Sequence, residues 1–252
     1  MEDGPQHSVL NVFERQEKKY LLEAGMAEKL LARCGSALEP DGRSSILIRS
    51  LYLDTPSHLL IRRSIEKPVF KEKLRVRSYG IIQDDNHPVF LEIKKKYRKT
   101  VYKRRVLMTL RDARRFVEDG VVPLSSLRGD NAKVALNRQI INEMYGALEC
   151  YGALTPSFLV GYERRAYCYH ATGVSLRLTL DSNLGWGKGS WDVEDMRGAH
   201  PLLPPAACLM ELKTTAPLPL PLTHALDALH LYPRGFSKAA QAYRALKERE
   251  EQ

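Results

Sequence analysis

Residues 70–79 read Phe70-Lys71-Glu72-Lys73-Leu74-Arg75-Val76-Arg77-Ser78-Tyr79, and their alternation decides the fold class. Side chains along a strand point to alternate faces, so i, i+2 and i+4 share one. One face of this strand therefore carries Lys71, Lys73, Arg75, Arg77 and Tyr79, and the other Phe70, Glu72, Leu74 and Val76. Four cations in a row repel one another unless water or an anion screens them.

The same alternation recurs on either side. Arg15, Glu17 and Lys19 share a face in the segment Phe13–Leu22. Glu92, Lys94 and Lys96 share one in Pro88–Tyr97, opposite Val89, Leu91 and Ile93. Lys103 and Arg105 fall together in Thr100–Leu110, as do Tyr162 and Arg164 in Ser157–His170. Arg177, Thr179 and Asp181 follow in Val174–Gly185, then Glu211 and Lys213 in Cys208–Thr215.

Any one of these strands is explained well enough as a solvated face of an antiparallel sheet. Seven of them are not, because a soluble surface normally mixes the two signs of charge. A closed barrel accounts for the set: the charged faces line a wet interior and the apolar faces pack outward against helices. Arginine forks and lysine point charges suit a multiply charged anion. The acids on those faces, Glu17, Glu92, Asp181 and Glu211, either balance neighbouring lysines or offer oxygen ligands to a divalent cation.

Between the strands, helical patterns cover 26–38, 112–118, 133–151, 222–231 and 238–250, and Thr55-Pro56 starts another that reaches Ile65. Ser44–Asp54 reads as an apolar strand. Gly185-Trp186-Gly187-Lys188-Gly189 lacks the spacing and following helix of a phosphate loop, so it is read as a flexible loop. About eight strands with irregularly inserted helices predict an α+β fold on an antiparallel sheet, an eight-stranded barrel with helices packed around it. A single domain over 1–252, with its core at about 13–245, is the simplest organisation.

The bulk numbers agree. The 252 residues carry a net charge of +9, from 39 Lys and Arg against 30 Asp and Glu, which favours an anionic partner. A hydrophobic share of 44% with 27% charged residues is that of a globular chain. The cysteines Cys34, Cys150, Cys168 and Cys208 form no C-x-x-C pair. The chain opens without the pattern of a signal peptide and holds no apolar run of about 20 residues, so a cytoplasmic protein is expected. No strand clusters aromatics as a base-stacking platform would, which ranks nucleic-acid binding below phosphate binding.

Eight segments now carry a resemblance. Arg15-x-Glu17-x-Lys19-Tyr20, Arg49-Ser50-Leu51-Tyr52-Leu53-Asp54-Thr55, Lys73-x-Arg75-x-Arg77, Leu91-Glu92-Ile93-Lys94, Lys103-Arg104-Arg105, Tyr162-x-Arg164-x-Ala166-Tyr167, Met210-Glu211-Leu212-Lys213 and Phe236-Ser237-Lys238 stand in one order. That order resembles the VTC domain, the polyphosphate polymerase domain related to the CYTH or triphosphate tunnel metalloenzymes. The resemblance runs from Phe13 to Tyr243. It implies an antiparallel barrel around a basic tunnel, in which the γ-phosphate of ATP passes to inorganic polyphosphate or pyrophosphate and ADP is released. Phosphate contacts are implied at Lys19, Arg75, Arg77, Lys94, Arg164 and Lys238, with Ser237 beside the last. A divalent metal is implied at Glu211, with Glu17 and Glu92 as further candidates; manganese is expected, magnesium being the alternative. Arg15, Lys73, Lys96, Lys103, Arg105, Arg177 and Lys213 share those faces and are expected to line the substrate path. The first strand reads Arg15-x-Glu17-x-Lys19 and not the Glu-x-Glu-x-Lys of the hydrolytic tunnel enzymes, which moves weight towards the polymerase. A tunnel triphosphatase acting on tripolyphosphate or a nucleoside or thiamine triphosphate stays open, as does a non-catalytic binder of polyphosphate or nucleic acid.

Overall fold

A computed structural model describes residues 16–42, 45–98, 100–171, 174–192 and 199–251. Arg15 lies outside the described residues. Among the described residues the architecture is one antiparallel sheet with six helices packed on it. Its strands are β1 (Gln16–Leu22), β2 (Leu38–Pro40), β3 (Ile46–Asp54), β4 (Phe70–Tyr79), β5 (Pro88–Tyr97), β6 (Thr100–Thr109), β7 (Thr155–Ala171), β8 (Val174–Lys188), β9 (His200–Pro201) and β10 (Cys208–Thr214). The main path runs β1-β10-β8-β7-β3-β4-β5-β6, with β2 on β7 and β9 on β8. The helices are α1 (Met26–Cys34), α2 (Leu59–Ile65), α3 (Leu110–Asp119), α4 (Asn131–Tyr151), α5 (Leu220–Ala228) and α6 (Lys238–Glu250).

The sheet curls into a tunnel-like shape without closing. Six ladders separate β1 from β5 along the path. Even so, the charges of Glu17 and Lys19 on β1 act on Lys94 of β5, so the two ends of the sheet come near each other. Among the described residues no ladder joins β1 to β6. Both edges are studded with cations, Lys18 and Lys19 on one and Lys103, Arg104 and Arg105 on the other. Charged edges of this kind resist pairing, and here a ladder would set like charges side by side.

Alternation puts the apolar sides of the strands outward. Leu74, Val76, Leu91, Ile93 and Val106 pack under α3 and α4 with Phe116, Ile141 and Met144. Tyr20, Leu178, Leu180, Met210 and Leu212 pack under α1 and α5 with Leu30 and Leu222. A third cluster departs from the expected pattern. Ile48 and Tyr52 of β3, Phe158, Val160 and Tyr162 of β7 and Trp186 of β8 gather against Ala239, Ala242, Tyr243 and Leu246 of α6. Tyr52 and Tyr162 share the face of Arg75 and Arg164, so the concave side is not charged throughout; α6 fills its apolar part.

Three local readings are corrected. The first helix stops at Cys34 because Gly35 takes φ 53, and the chain then forms β2. Helix α2 starts at Leu59, later than Thr55-Pro56 suggested, because the buried Asp54 carboxylate accepts the Leu60 and Ile61 amides at 2.8 and 2.9 Å. The segment Gly185–Lys188 is strand and not loop: Gly185 pairs with Gly161, Gly187 with Leu159 and Lys188 with Phe158. The next glycine is needed because a Cβ on Gly189 would sit 2.6 Å from the Ser157 backbone. Among the described residues no helix is long and apolar enough to cross a membrane.

Candidate functional site

The concave face brings the predicted cations together in two different states. In the first state, each cation is held by a carboxylate. Glu92 is 1% exposed and lies directly across the ladder from Arg75. It binds Arg75 Nη2 at 2.6 Å and Lys103 Nζ at 2.9 Å, with Arg77 Nε at 3.9 Å. Burial works to raise the Glu92 carboxyl, but Arg75, Arg77 and Lys103 overcome it and bring it down to about 2. Arg77 also donates to Ser50 Oγ at 3.2 Å and Tyr162 Oη at 3.4 Å.

A second balanced cluster forms where β1, β10, β8 and β7 meet α6. Arg164 grips Asp181 with two bonds, Nε to Oδ1 at 2.6 Å and Nη2 to Oδ2 at 2.7 Å. Lys238 Nζ sits between two carboxylates, 2.6 Å from Asp181 Oδ2 and 3.1 Å from Glu211 Oε1, and 4.8 Å from the centre of the Tyr162 ring. Lys213 and Lys19 approach Glu211 at 3.3 and 3.6 Å, and Glu17 joins them at 3.8 and 3.3 Å. Burial opposes ionisation of Glu211, yet Lys238, Lys19, Lys213 and Arg164 hold it far below the ordinary carboxylate range. Ser237 caps α6, its Oγ accepting the Ala240 amide, and so fixes the turn that aims Lys238 inward. The loop before it is clamped to β1 by Arg234 N to Lys19 O at 2.7 Å and Lys19 Nζ to Phe236 O at 3.0 Å.

The second state is a lattice of lysines. Lys71 stands directly opposite Lys96, Lys73 opposite Lys94, and Lys94 opposite Lys103. Among the described residues, Lys71, Lys73, Lys94 and Lys96 have no carboxylate within the 4.0 Å of an ion pair. Lys71 is held, among the described residues, only by the Ser64 carbonyl, at 2.9 Å. Burial, followed by the charges of Lys94, Lys71 and Arg75, brings Lys73 down to about 8 against an upward pull from Tyr52. Like charges directly opposite each other destabilise a sheet.

Two other predicted residues lie apart from both groups. Arg177 is exposed and pairs with Asp41 at 2.8 Å. Arg105 is also exposed, stacked 4.5 Å over the Phe90 ring.

Two wall residues were not singled out from the sequence. Tyr52 accepts from Arg75 Nη1 at 3.2 Å and stacks on Phe158 at 4.9 Å. Burial works to raise its phenol, but Arg75, Lys73 and Arg77 outweigh that and bring it to about 8. Ser50 is 1% exposed beside Arg77. Arg49 and Ser50 interrupt the apolar run 46–53, and Ser50 was the available signal, since i+2 from Ser50 is Tyr52.

The metal expectation meets a restricted donor set. Among the described residues no three His, Cys, Asp or Glu side chains gather as a metal site. Glu211 and Asp181 nevertheless stand on adjacent strands. Thr179, directly opposite Glu211 and two residues before Asp181, is 1% exposed, and among the described residues its hydroxyl has no hydrogen-bond partner. Two carboxylates and a hydroxyl fit a hard divalent cation whose remaining ligands are phosphate oxygens. Glu92 is gripped by three cations and Glu211 by four, so both balance charge; what sets Glu211 apart is the oxygen donors Asp181 and Thr179 on the adjacent strand.

A family model described as the VTC domain matches residues 14–247. No curated protein sequence matches the chain. Among solved structures, a proposed adenylate cyclase from Vibrio parahaemolyticus is 11% identical, with 88% of this chain and 94% of that one covered at a TM-score of 0.42. A conserved hypothetical protein from Pyrococcus furiosus is 11% identical over 88% of this chain and 98% of its own, at a TM-score of 0.35. A Pyrococcus horikoshii protein is 11% identical over 89% and 98%, at 0.38.

Proposed function

The chain belongs to the VTC-domain family, and on that footing we propose that it is a polyphosphate polymerase. It transfers the γ-phosphate of ATP to the end of an inorganic polyphosphate chain or a pyrophosphate primer. The observation that carries this reading is the lysine lattice of Lys71, Lys73, Lys94 and Lys96, which repels itself until a polyanion lies along it. A long phosphate chain matches a row of charges set along two strands better than a compact anion does.

Lys19, Arg75, Arg77, Lys94, Arg164 and Lys238 hold the nucleotide's phosphates, and Lys71, Lys73 and Lys96 hold the acceptor. Lys103, Arg105, Arg177, Lys213 and Ser237 support this path at its margins. An oxygen of the acceptor's terminal phosphate forms the new P–O bond as the bond from the γ-phosphorus to the β–γ bridging oxygen breaks, and ADP leaves with that electron pair. Such transfers need positioning and charge neutralisation more than a protein nucleophile. Glu211, Asp181 and Thr179 would hold a divalent cation, manganese or magnesium, which supplies Lewis-acid neutralisation of phosphate oxygens. Lys238 would then turn from the carboxylates to the phosphates. On the concave face the buried carboxylates Glu92, Asp181 and Glu211 are each clamped by cations, leaving none of them poised to activate water, which favours a phosphate acceptor over hydrolysis.

The test is to incubate the protein with ATP, manganese and pyrophosphate and follow ADP, free phosphate and polymer together. ADP and polymer appearing in step, and both lost in Arg75→Ala, are expected. Free phosphate without polymer would make the protein a triphosphatase. Binding without turnover would leave it a polyanion receptor.

A further inference from the structure

The end of the sheet where β4 begins and β5 turns into β6 is apolar on both faces. Val69 and Phe70 are 62% and 45% exposed, Tyr97 48%, Val101 49% and Tyr102 54%. They converge in space: Phe70 lies directly opposite Tyr97, and the Arg98 amide donates to the Val69 carbonyl at 2.7 Å. By alternation Phe70, Tyr97 and Tyr102 lie on the outer face, yet no helix of the described residues covers them, and Val101 lies on the concave one. Exposed apolar residues scattered singly need no account, but five on one strand end do.

The same end is strongly cationic. Lys67, Lys71, Lys96 and Arg98 stand there with no carboxylate in ion-pair range among the described residues. Lys67 and Arg98 are exposed, and the Arg98 guanidinium lies 5.3 Å from the centre of the Tyr97 ring. A protein or single-stranded nucleic acid would dock on one face of such an end. A bilayer interface instead receives a tip from all sides: aromatic rings settle at headgroup level and cations reach the anionic headgroups. We propose that this strand end, with Val69, Phe70, Tyr97, Val101 and Tyr102 flanked by Lys67 and Arg98, docks on an anionic lipid surface.

The experiment is co-sedimentation of the full chain with vesicles of equimolar phosphatidylcholine and phosphatidylserine, and with phosphatidylcholine alone. The protein sediments with the anionic vesicles and not with the neutral ones, and saturating tripolyphosphate leaves it bound. The double variants Phe70→Ser with Tyr97→Ser and Lys67→Glu with Arg98→Glu each lower partitioning by about tenfold or more, while tripolyphosphate binding persists as the check on folding. Failure to sediment with anionic vesicles, displacement by tripolyphosphate, or double variants that bind like the parent would each overturn the proposal. Retention on a single-stranded oligonucleotide by the tip, without vesicle binding, would overturn it too. The result is independent of polymer synthesis, since neither variant pair touches the residues assigned to phosphate.

Discussion

Glu92→Gln removes the carboxylate that Arg75, Arg77 and Lys103 share, and the proton affinity of that carboxylate sets the cost. The surrounding cations outweigh burial and carry Glu92 from an ordinary 4.5 down to about 2. At about 1.4 kcal/mol per tenfold change in proton affinity, the ionised form is worth roughly 3 kcal/mol of folding stability at neutral pH. The sign follows from the depressed folded value. The stabilisation is full above the unfolded value and is lost as pH falls from about 4.5 towards 2. Glutamine imitates the protonated acid, so the gap between parent and variant should be about 3 kcal/mol at pH 7 and shrink to about 2 kcal/mol at pH 3.5. Urea unfolding of both proteins at both pH values measures it, and subtraction cancels the carboxylates they share. The variant should also bind tripolyphosphate more tightly, because three cations lose an internal partner. A gap under about 1 kcal/mol at pH 7, or one that does not change with pH, would refute the reasoning.

Other outcomes are expected from the same structure. Lys73 sits at about 8, so its charge is lost as pH rises through that value, and polyphosphate affinity should fall by about tenfold between pH 7 and pH 9. Lys73→Arg combined with Tyr52→Phe should flatten that fall in a binding titration, since guanidinium keeps its charge and the phenol no longer ionises. Asp54→Ala strips the acceptor from the Thr55, Leu60 and Ile61 amides and should cost about 3 kcal/mol in urea unfolding. Gly189→Ala drives a Cβ to 2.6 Å from the Ser157 backbone and should cost about 1–3 kcal/mol, whereas Gly187→Ala, with nothing within 4 Å, should leave the melting temperature nearly unchanged.

Strand alternation made the charged half of the concave face legible. Lys71 to Arg77, Glu92 to Lys96 and Glu211 with Lys213 fall where period two puts them, because strand side chains have little choice of face. The apolar part was not legible. Tyr52 and Phe158 belong to strands whose two faces are both buried, so β3 is apolar on both faces apart from Arg49 and Ser50 and shows no period of two to read. The start of α2 was displaced because Asp54, immediately upstream of Thr-Pro-Ser-His, reaches across that turn to the Leu60 and Ile61 amides, a spacing longer than the usual capping rule reads. Which cations are balanced and which are not was likewise hidden. It depends on the register of neighbouring strands: a shift of one step would face Lys94 with Leu74 and separate Arg75 from Glu92.

That register divides the concave face by chemistry as well as by charge. The part balanced by carboxylates holds, beside Lys19, Lys103, Lys213 and Lys238, the arginines Arg75, Arg77 and Arg164, whose planar forks are fixed by Glu92, Ser50, Tyr162 and Asp181. The unbalanced part holds lysines alone. A fixed fork suits an anion that must be presented in one orientation, as the triphosphate of a nucleotide must be for in-line transfer. A lysine on a flexible stem offers a point charge that follows a moving chain, so a polymer can shift by one phosphate without breaking a directional bond. The repulsion across Lys71–Lys96 and Lys73–Lys94 weakens the free fold and is relieved when a polyanion binds. Polyphosphate should therefore stabilise the chain more per bound phosphate than tripolyphosphate confined to the arginine end, a difference that thermal unfolding at matched phosphate concentration would read directly. Equal stabilisation by the two would mean that the lysines do not serve the polymer.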